Sequence, residues 1–180
     1  VEASELDSDD RDPEEVAYDL IKISREYILG LQVWLERKSI TGKEMSDHKR
    51  ACELAAYFAK LNLSKHRTLV LEKALEVFLA KPKEFRKTFA AASIARRLLE
   101  HVSDPKRSKL VPYAEKVKSG ADVQVDQELK LDYDDKNPYD LCAGTLKPIY
   151  RGNRLTKCPL CDAKYRPEFE GQTCKICLVS

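Results

Sequence analysis

Near its end the chain repeats one short pattern, Cys158-Pro159-Leu160-Cys161 and Cys174-Lys175-Ile176-Cys177, with twelve residues between the two copies. A Cys-x2-Cys loop reverses the chain while turning both sulfurs to one side. Each sulfur can then reach one ion at about 2.3 Å, and two such loops close a tetrahedral shell. The intervening 162–173, with Pro167 and Gly171, is long enough to return the second loop to the first. The spacing points to Zn2+ held by Cys158, Cys161, Cys174 and Cys177. Its role would be structural, because four thiolates leave no position open to water or substrate. Three other readings stay open. Two disulfides suit an exported chain, and nothing here indicates export. Redox-active thiols need activation at a helix N-terminus, whereas these lie on turns. Reduced structural thiols are the third. Of the other cysteines, Cys52 falls on the apolar face of a helix, and Cys142 is expected to be buried among strands.

The segment around these pairs has little else to hold it. From Ser119-Gly120 onward the character changes: Val123 and Val125, then Leu129, Leu131 and Tyr133, alternate with polar residues as a half-buried strand does. Beyond Asp135, turn residues punctuate short β-type runs. Thr145–Tyr150 and Arg154–Cys158, joined through Arg151-Gly152-Asn153, read as a hairpin. Residues 119–180 are therefore expected to form a small β-rich, zinc-ribbon-like module.

Residues 13–118 read as helical. Asp12-Pro13-Glu14-Glu15 is a start signal, with Asp12 as cap and Pro13 at the first helical position. Val16, Leu20, Ile23, Tyr27, Leu31 and Trp34 follow at intervals of three or four, one apolar stripe on a helix running to Lys38. Gly30 within it points to close helix packing. A second helix after Thr41-Gly42-Lys43-Glu44 would bury Met45, Cys52, Ala55, Ala56 and Ala59. A third from Ser64 to Pro82 would bury Leu69, Val70, Ala74, Val77 and Phe78. A fourth from about Glu84 to His101 carries Phe85, Phe89 and Leu98, and Asp104-Pro105 opens a fifth that Pro112 should kink or break. Short connections make consecutive helices antiparallel neighbours, and the alanines let their axes approach, as in a solenoid of helical hairpins. The fold class expected is α+β, with solenoid-like antiparallel hairpins before the β module. Two or three hairpins bury little core, so a partner should cover the open flank.

Charge narrows the function. Residues 1–15 carry eight acids against Arg11, and 1–12 read as an acidic tail or linker. A second acidic stretch spans Asp126 to Asp140, while basic residues gather at 81–87, 96–97, 106–109 and 147–157. The net charge of +2 argues against a general nucleic-acid binder. No apolar run reaches the ~20 residues that span a bilayer, and Val1-Glu2-Ala3 does not open a signal peptide. Lacking an initial Met, the chain reads as a fragment of something longer. His48, His66 and His101 stand apart, the six glycines are scattered, and no nucleophile turn or phosphate cradle is present. The chain does not read as an enzyme. Tyr133, Tyr139, Tyr150, Tyr165 and Phe169, interleaved with basic residues, allow a second reading as a zinc-ribbon adaptor stacking on single-stranded nucleic acid. The acids just upstream disfavour it.

Several strings carry a further signal: Arg25-Glu26-Tyr27-Ile28-Leu29-Gly30-Leu31, Cys52-Glu53-Leu54-Ala55-Ala56-Tyr57-Phe58, Asn137-Pro138-Tyr139-Asp140-Leu141-Cys142-Ala143, Pro148-Ile149-Tyr150-Arg151-Gly152 and Tyr165-Arg166-Pro167-Glu168-Phe169. In this order, over about residues 16–178, the chain resembles the carboxy-terminal domain of the alpha subunit of coatomer, the COPI vesicle coat. The resemblance implies a non-enzymatic coat component, cytoplasmic and peripheral on Golgi membranes and COPI vesicles, acting in Golgi-to-ER retrograde and intra-Golgi transport. It implies a longer parent chain with β-propellers and a solenoid upstream, and an extension past Ser180. The partners it implies are the epsilon subunit of coatomer, itself a helical-repeat protein, and other coatomer subunits. Nucleic acid is not among them, and membrane is met only through the assembled coat. The metal rests on the cysteine spacing, not on this resemblance. A thin hairpin with its tip near Arg151-Gly152-Asn153 would suit a concave partner. Ile149 and Tyr150 would supply buried area there, and Arg151, Asn153 and Arg154 polar contacts.

Overall fold

The computed structural model describes residues 12–102, 110–119, 130–134 and 137–180. The acidic tail, the helix start at Asp104-Pro105 and the strand residues Val123, Val125 and Leu129 lie outside the described residues. Helix α1 (Pro13–Ser39) starts where its signal predicts: the Asp12 carboxylate accepts the Glu14 N–H at 3.0 Å, and Pro13 sits at the first helical position. Arg37 and Lys38 occupy the last turn, where the helix dipole favours cations. Leu29, Gly30 and Val33 face inward. A Cβ on Gly30 would stand 3.0 Å from Leu63 Cδ1 and 3.5 Å from Leu61 and Phe58, so the glycine permits the close approach expected of it.

The α1 stripe is only partly covered: Val16, Tyr27 and Trp34 are half-buried, and the rest faces outward. Leu20, Ile23 and Leu31 are 58%, 52% and 60% exposed. Apolar residues lie on two sides of α1, and periodicity alone cannot say which side the rest of the chain covers.

Helices α2 (Met45–Lys60), α3 (Arg67–Ala80), α4 (Phe89–His101) and α5 (Val111–Ser119) each pack against the one before. Met45, Leu69 and Phe89, expected inside, are exposed first-turn residues, and the burial lies further along each helix. The stretch expected as one helix from Glu84 is a 3-10 turn, Lys83–Lys87, followed by α4. Thr88 makes the break: its hydroxyl donates to the Phe85 carbonyl at 2.8 Å and accepts the Ala91 N–H at 3.3 Å, capping a new helix. The described helix α5 begins beside Pro112, and whether a helix from Asp104 is interrupted there lies outside the described residues. Pro112 sits in the first turn of α5, where the missing N–H costs no hydrogen bond. Arginines satisfy two helix ends, Arg86 donating to the Leu79 carbonyl and Arg97 to the Ala59 carbonyl. Between α2, α3, α4 and α5 lies one core, with Leu71, Phe78, Phe85 and Leu98 fully buried.

The C-terminal part holds two small antiparallel sheets, β1 (Tyr139–Leu141) with β2 (Pro148–Tyr150) and β3 (Thr156–Lys157) with β4 (Lys164–Tyr165). The chain is thus α+β. Thr145–Tyr150 and Arg154–Cys158 do not pair with each other, contrary to the sequence expectation. β2 pairs back onto β1 and β3 forward onto β4, because the first cysteine loop is itself the turn between β3 and β4. Residues 130–134 form no strand, although Leu131 is buried as expected. A second core joins this part to the helices: Leu29, Val33, Leu54 and Tyr57 meet Leu141, Ile149, Ala163, Tyr165 and the cysteines.

Candidate metal centre

The two Cys-x2-Cys loops have the same backbone. In the first, the Asp162 N–H donates to the Cys158 carbonyl at 3.0 Å and the Cys158 N–H to the Ala163 carbonyl at 2.9 Å. In the second, the Leu178 N–H donates to the Cys174 carbonyl at 2.9 Å and the Cys174 N–H to the Val179 carbonyl at 2.8 Å. The residue after each second cysteine is left-handed, Asp162 at φ 57° and Leu178 at φ 61°. Asp tolerates that region, whereas Leu is held there at a cost of roughly 1–2 kcal/mol. The loop is thus adopted twice, once against side-chain preference, and each time it turns two sulfurs to one side.

Those sulfurs converge. The Sγ atoms of Cys158, Cys161, Cys174 and Cys177 all lie within 4.8 Å of one another. Across the loops, Cys158 is 3.5 Å from Cys177 and Cys161 is 3.6 Å from Cys174. A tetrahedral ion with bonds near 2.3 Å has ligand–ligand edges of about 3.8 Å, close to these contacts. All six cysteines are free, and Cys158, Cys161 and Cys174 are buried. Burial pushes the Cys161 and Cys177 thiols up. It pushes Cys174 up as well, but hydrogen bonds from the Tyr165 hydroxyl and the Cys177 and Ile176 N–H groups outweigh it and hold this thiol at about 6. The Tyr165 O–H lies 3.0 Å from Cys174 Sγ and accepts the Lys175 N–H at 2.8 Å. Four converging sulfur donors with N–H and O–H groups aimed at them could hold a metal ion. Cys142 is not among them; fully buried as expected, it accepts the Arg166 N–H. Cys52 is core, its thiol pushed up by burial to about 12.

Of the residues expected at a partner surface, Ile149 is 3% exposed and belongs to the second core. Tyr150 is half-buried, its hydroxyl accepting the Asp134 N–H and its ring edge-on to Tyr139. Arg151, Asn153 and Arg154 are exposed on the loop between the sheets, with Arg154 3.8 Å from Glu170. The rings available in principle to nucleic acid stack instead on one another: Tyr57, Tyr133, Tyr139 and Tyr150 form an edge-to-face chain, and Tyr165 packs against Phe169. The histidines stay apart, His66 bonded to the Tyr27 hydroxyl and His48 edge-on to Phe85.

One surface was not anticipated. Leu20, Ile23, Ile28, Leu31 and Leu35 are all exposed on α1, and the face they share carries no charged residue from Val16 to Leu35. In a chain with 34% charged residues this is unusual, and α1 holds six of the thirteen exposed large apolar residues described. The signal was in the sequence as the stripe itself, whose exposed members Leu20, Ile23 and Leu31 are joined by Ile28 and Leu35. No described helix is long and apolar enough to cross a membrane.

Over residues 6–180 the chain matches the family described as the C-terminus of the coatomer (COPI) alpha subunit. It is 39% identical over 169 residues, 90% of its length, to coatomer subunit alpha of Dictyostelium discoideum. It is 38% identical over 88% of its length to coatomer subunit alpha-1 of Arabidopsis thaliana, and 34% over 96% to coatomer subunit alpha of Saccharomyces cerevisiae. It covers 13%, 12% and 14% of those proteins, so it spans about an eighth of the curated relatives it matches.

Proposed function

The chain belongs to the family formed by the C-termini of coatomer (COPI) alpha subunits, and from that premise we propose that it is a non-enzymatic docking domain of the COPI vesicle coat. In this reading it binds the epsilon subunit of coatomer and supports coat assembly in Golgi-to-ER and intra-Golgi transport. It would act from the cytoplasmic side, peripheral to Golgi membranes and vesicles. The observation that carries a docking role is the uncharged apolar ridge of α1, which nothing described in the chain covers. A domain that works by being gripped needs such a surface. The exposed loop of Arg151, Asn153 and Arg154, with Tyr150 at its base, adds the polar contacts. Ile149 would act indirectly, by fixing β2 from inside.

The same reading gives Zn2+ to Cys158, Cys161, Cys174 and Cys177. Bound there it supplies charge compensation and a cross-link between the two loops. The chain divides functionally near residue 119, between a helical part that offers the ridge and a module that offers the loop.

Affinity for the epsilon subunit after Tyr150→Ala with Arg151→Glu tests the loop. Truncating a central contact costs ≥2 kcal/mol, and unchanged affinity in a folded variant removes the loop from the interface.

A further inference from the structure

Helix α1 touches both cysteine loops, one with each of two side chains two helical turns apart. From the first, Arg25 Nη1 donates to the Cys161 carbonyl at 3.1 Å and lies 3.4 Å from the Asp162 carbonyl and 3.5 Å from Asp162 Oδ2. From the second, Gln32 Nε2 donates to the Lys175 carbonyl at 2.9 Å. A seven-residue spacing puts both on one face of the helix. Beside them Leu29 and Val33, 7% and 0% exposed, share a core with Cys161 and Cys174. Arg25 is held in turn by Glu26 at 3.1 Å, and Asp162 by Lys157 at 3.1 Å, so the first contact is fixed from both sides.

Each loop is closed by its own backbone hydrogen bonds, but the position of one loop relative to the other is what a shared ion would fix. A helix that hydrogen-bonds to one carbonyl in each loop therefore recognises the pair in the relative position that a shared ion imposes. Neither contact is a ligand. Both do to the loops what outer-shell groups do to ligands elsewhere, orienting them and lowering the entropy lost on metal binding.

We infer that Arg25 and Gln32 of α1 are positioning residues of the four-cysteine site, so that metal occupancy and the seating of α1 on the module are one coupled equilibrium. The inference rests on the reading of these thiols as a metal site and adds how the metal acts beyond its own loops. Coupling of this kind is reciprocal: the factor by which α1 raises metal affinity is the factor by which metal raises the seated fraction of α1. Because α1 also carries the apolar ridge, loading the site would hold that ridge in a fixed relation to the Arg151–Arg154 loop.

The test uses the whole chain with Zn2+ and Co2+ as probes. Zinc affinity is measured by competition with a chromogenic chelator for the wild type, Arg25→Ala, Arg25→Lys, Gln32→Glu and a control at the exposed connection, Lys43→Ala. Gln32→Glu keeps the shape and removes the donor. Loss of an outer-shell contact weakens metal binding by about 10- to 100-fold, and that is expected of Arg25→Ala and Gln32→Glu, with Arg25→Lys intermediate and Lys43→Ala unchanged. Thiolate-to-Co2+ absorption should persist in all four variants at saturating metal, which shows that the ligands and fold are intact. Amide exchange across 25–33 should accelerate when wild-type metal is stripped. Equal zinc affinity in every variant, or α1 exchange indifferent to metal, overturns the inference and leaves the metal site standing. A folded wild type that takes up neither ion removes the metal reading itself.

Discussion

Replacing Leu31 and Leu35 together by Gln separates a docking surface from a structural one. The two leucines stand four residues apart on α1, 60% and 63% exposed. Gln has nearly the helix propensity of Leu, so the isolated fold should lose less than ~0.5 kcal/mol per site, the usual range for surface changes. Fully burying a leucine is worth about 1.5–3 kcal/mol. Covering the exposed fraction of each is then worth roughly 0.9–1.9 kcal/mol, and the pair about 2–3.7 kcal/mol. At ~1.4 kcal/mol per decade, affinity for a partner seated on the ridge should fall roughly 20- to 500-fold. Val33→Gln on the same helix is the contrast. Val33 is fully buried in the second core, so an amide there loses apolar burial and lacks a hydrogen-bond partner, at a cost of about 3 kcal/mol or more. Chemical denaturation gives the stabilities, and calorimetric titration with the epsilon subunit gives the affinities. If the double variant were as destabilised as Val33→Gln, the ridge would be core. If it bound with wild-type affinity, the ridge would not be a docking surface.

Three other outcomes follow from the packing. Gly144→Ala drives a Cβ into the Phe169 ring and should cost about 1–3 kcal/mol as overpacking; Phe169→Leu in the same chain should recover part of that loss in a melting experiment. Leu98→Ala empties a fully buried position in the helical core and should cost about 2–5 kcal/mol by denaturant titration, with the thiol geometry unaffected. Chelation, or Cys161→Ser, should disorder the module and loosen α1 while sparing α3, α4 and α5, since the four thiols belong to the second core and those three helices to the first. Helical circular dichroism would then persist while the aromatic signal of the tyrosine chain decays.

What was legible in the sequence is what local chemistry dictates. Asp12 and Pro13 open α1 because a carboxylate and a missing N–H suit unpaired amides wherever they occur. Each pair of cysteines meets because its loop reverses the chain within four residues, and twelve residues between the pairs suffice to bring the loops together. What was illegible depends on partners distant in sequence. The α1 stripe through Leu20 and Leu31 has correct helical spacing, but whether it lies inside depends on α2 and the module approaching from the Leu29–Val33 side. Likewise β2 and β3 read as neighbours because they are adjacent in sequence, while pairing followed the turn at Cys158–Cys161 that binds β3 to β4. Pro112 and Thr88 were ambiguous for a smaller reason. Proline and threonine each start or interrupt helices according to a shift of one or two residues, below what periodicity resolves. The loop at Arg151–Arg154, proposed to meet a partner, stands out only as a polar turn, since its exposed side chains make no buried contact that a sequence pattern would record.

In the proposed function this chain acts by being held in an assembly. Sedimentation velocity of the whole chain mixed with the epsilon subunit of coatomer tests it most directly. One faster-moving species of one-to-one composition is expected, lost with Leu31→Gln and Leu35→Gln. Two boundaries sedimenting independently at micromolar concentration, with both proteins folded, would contradict it.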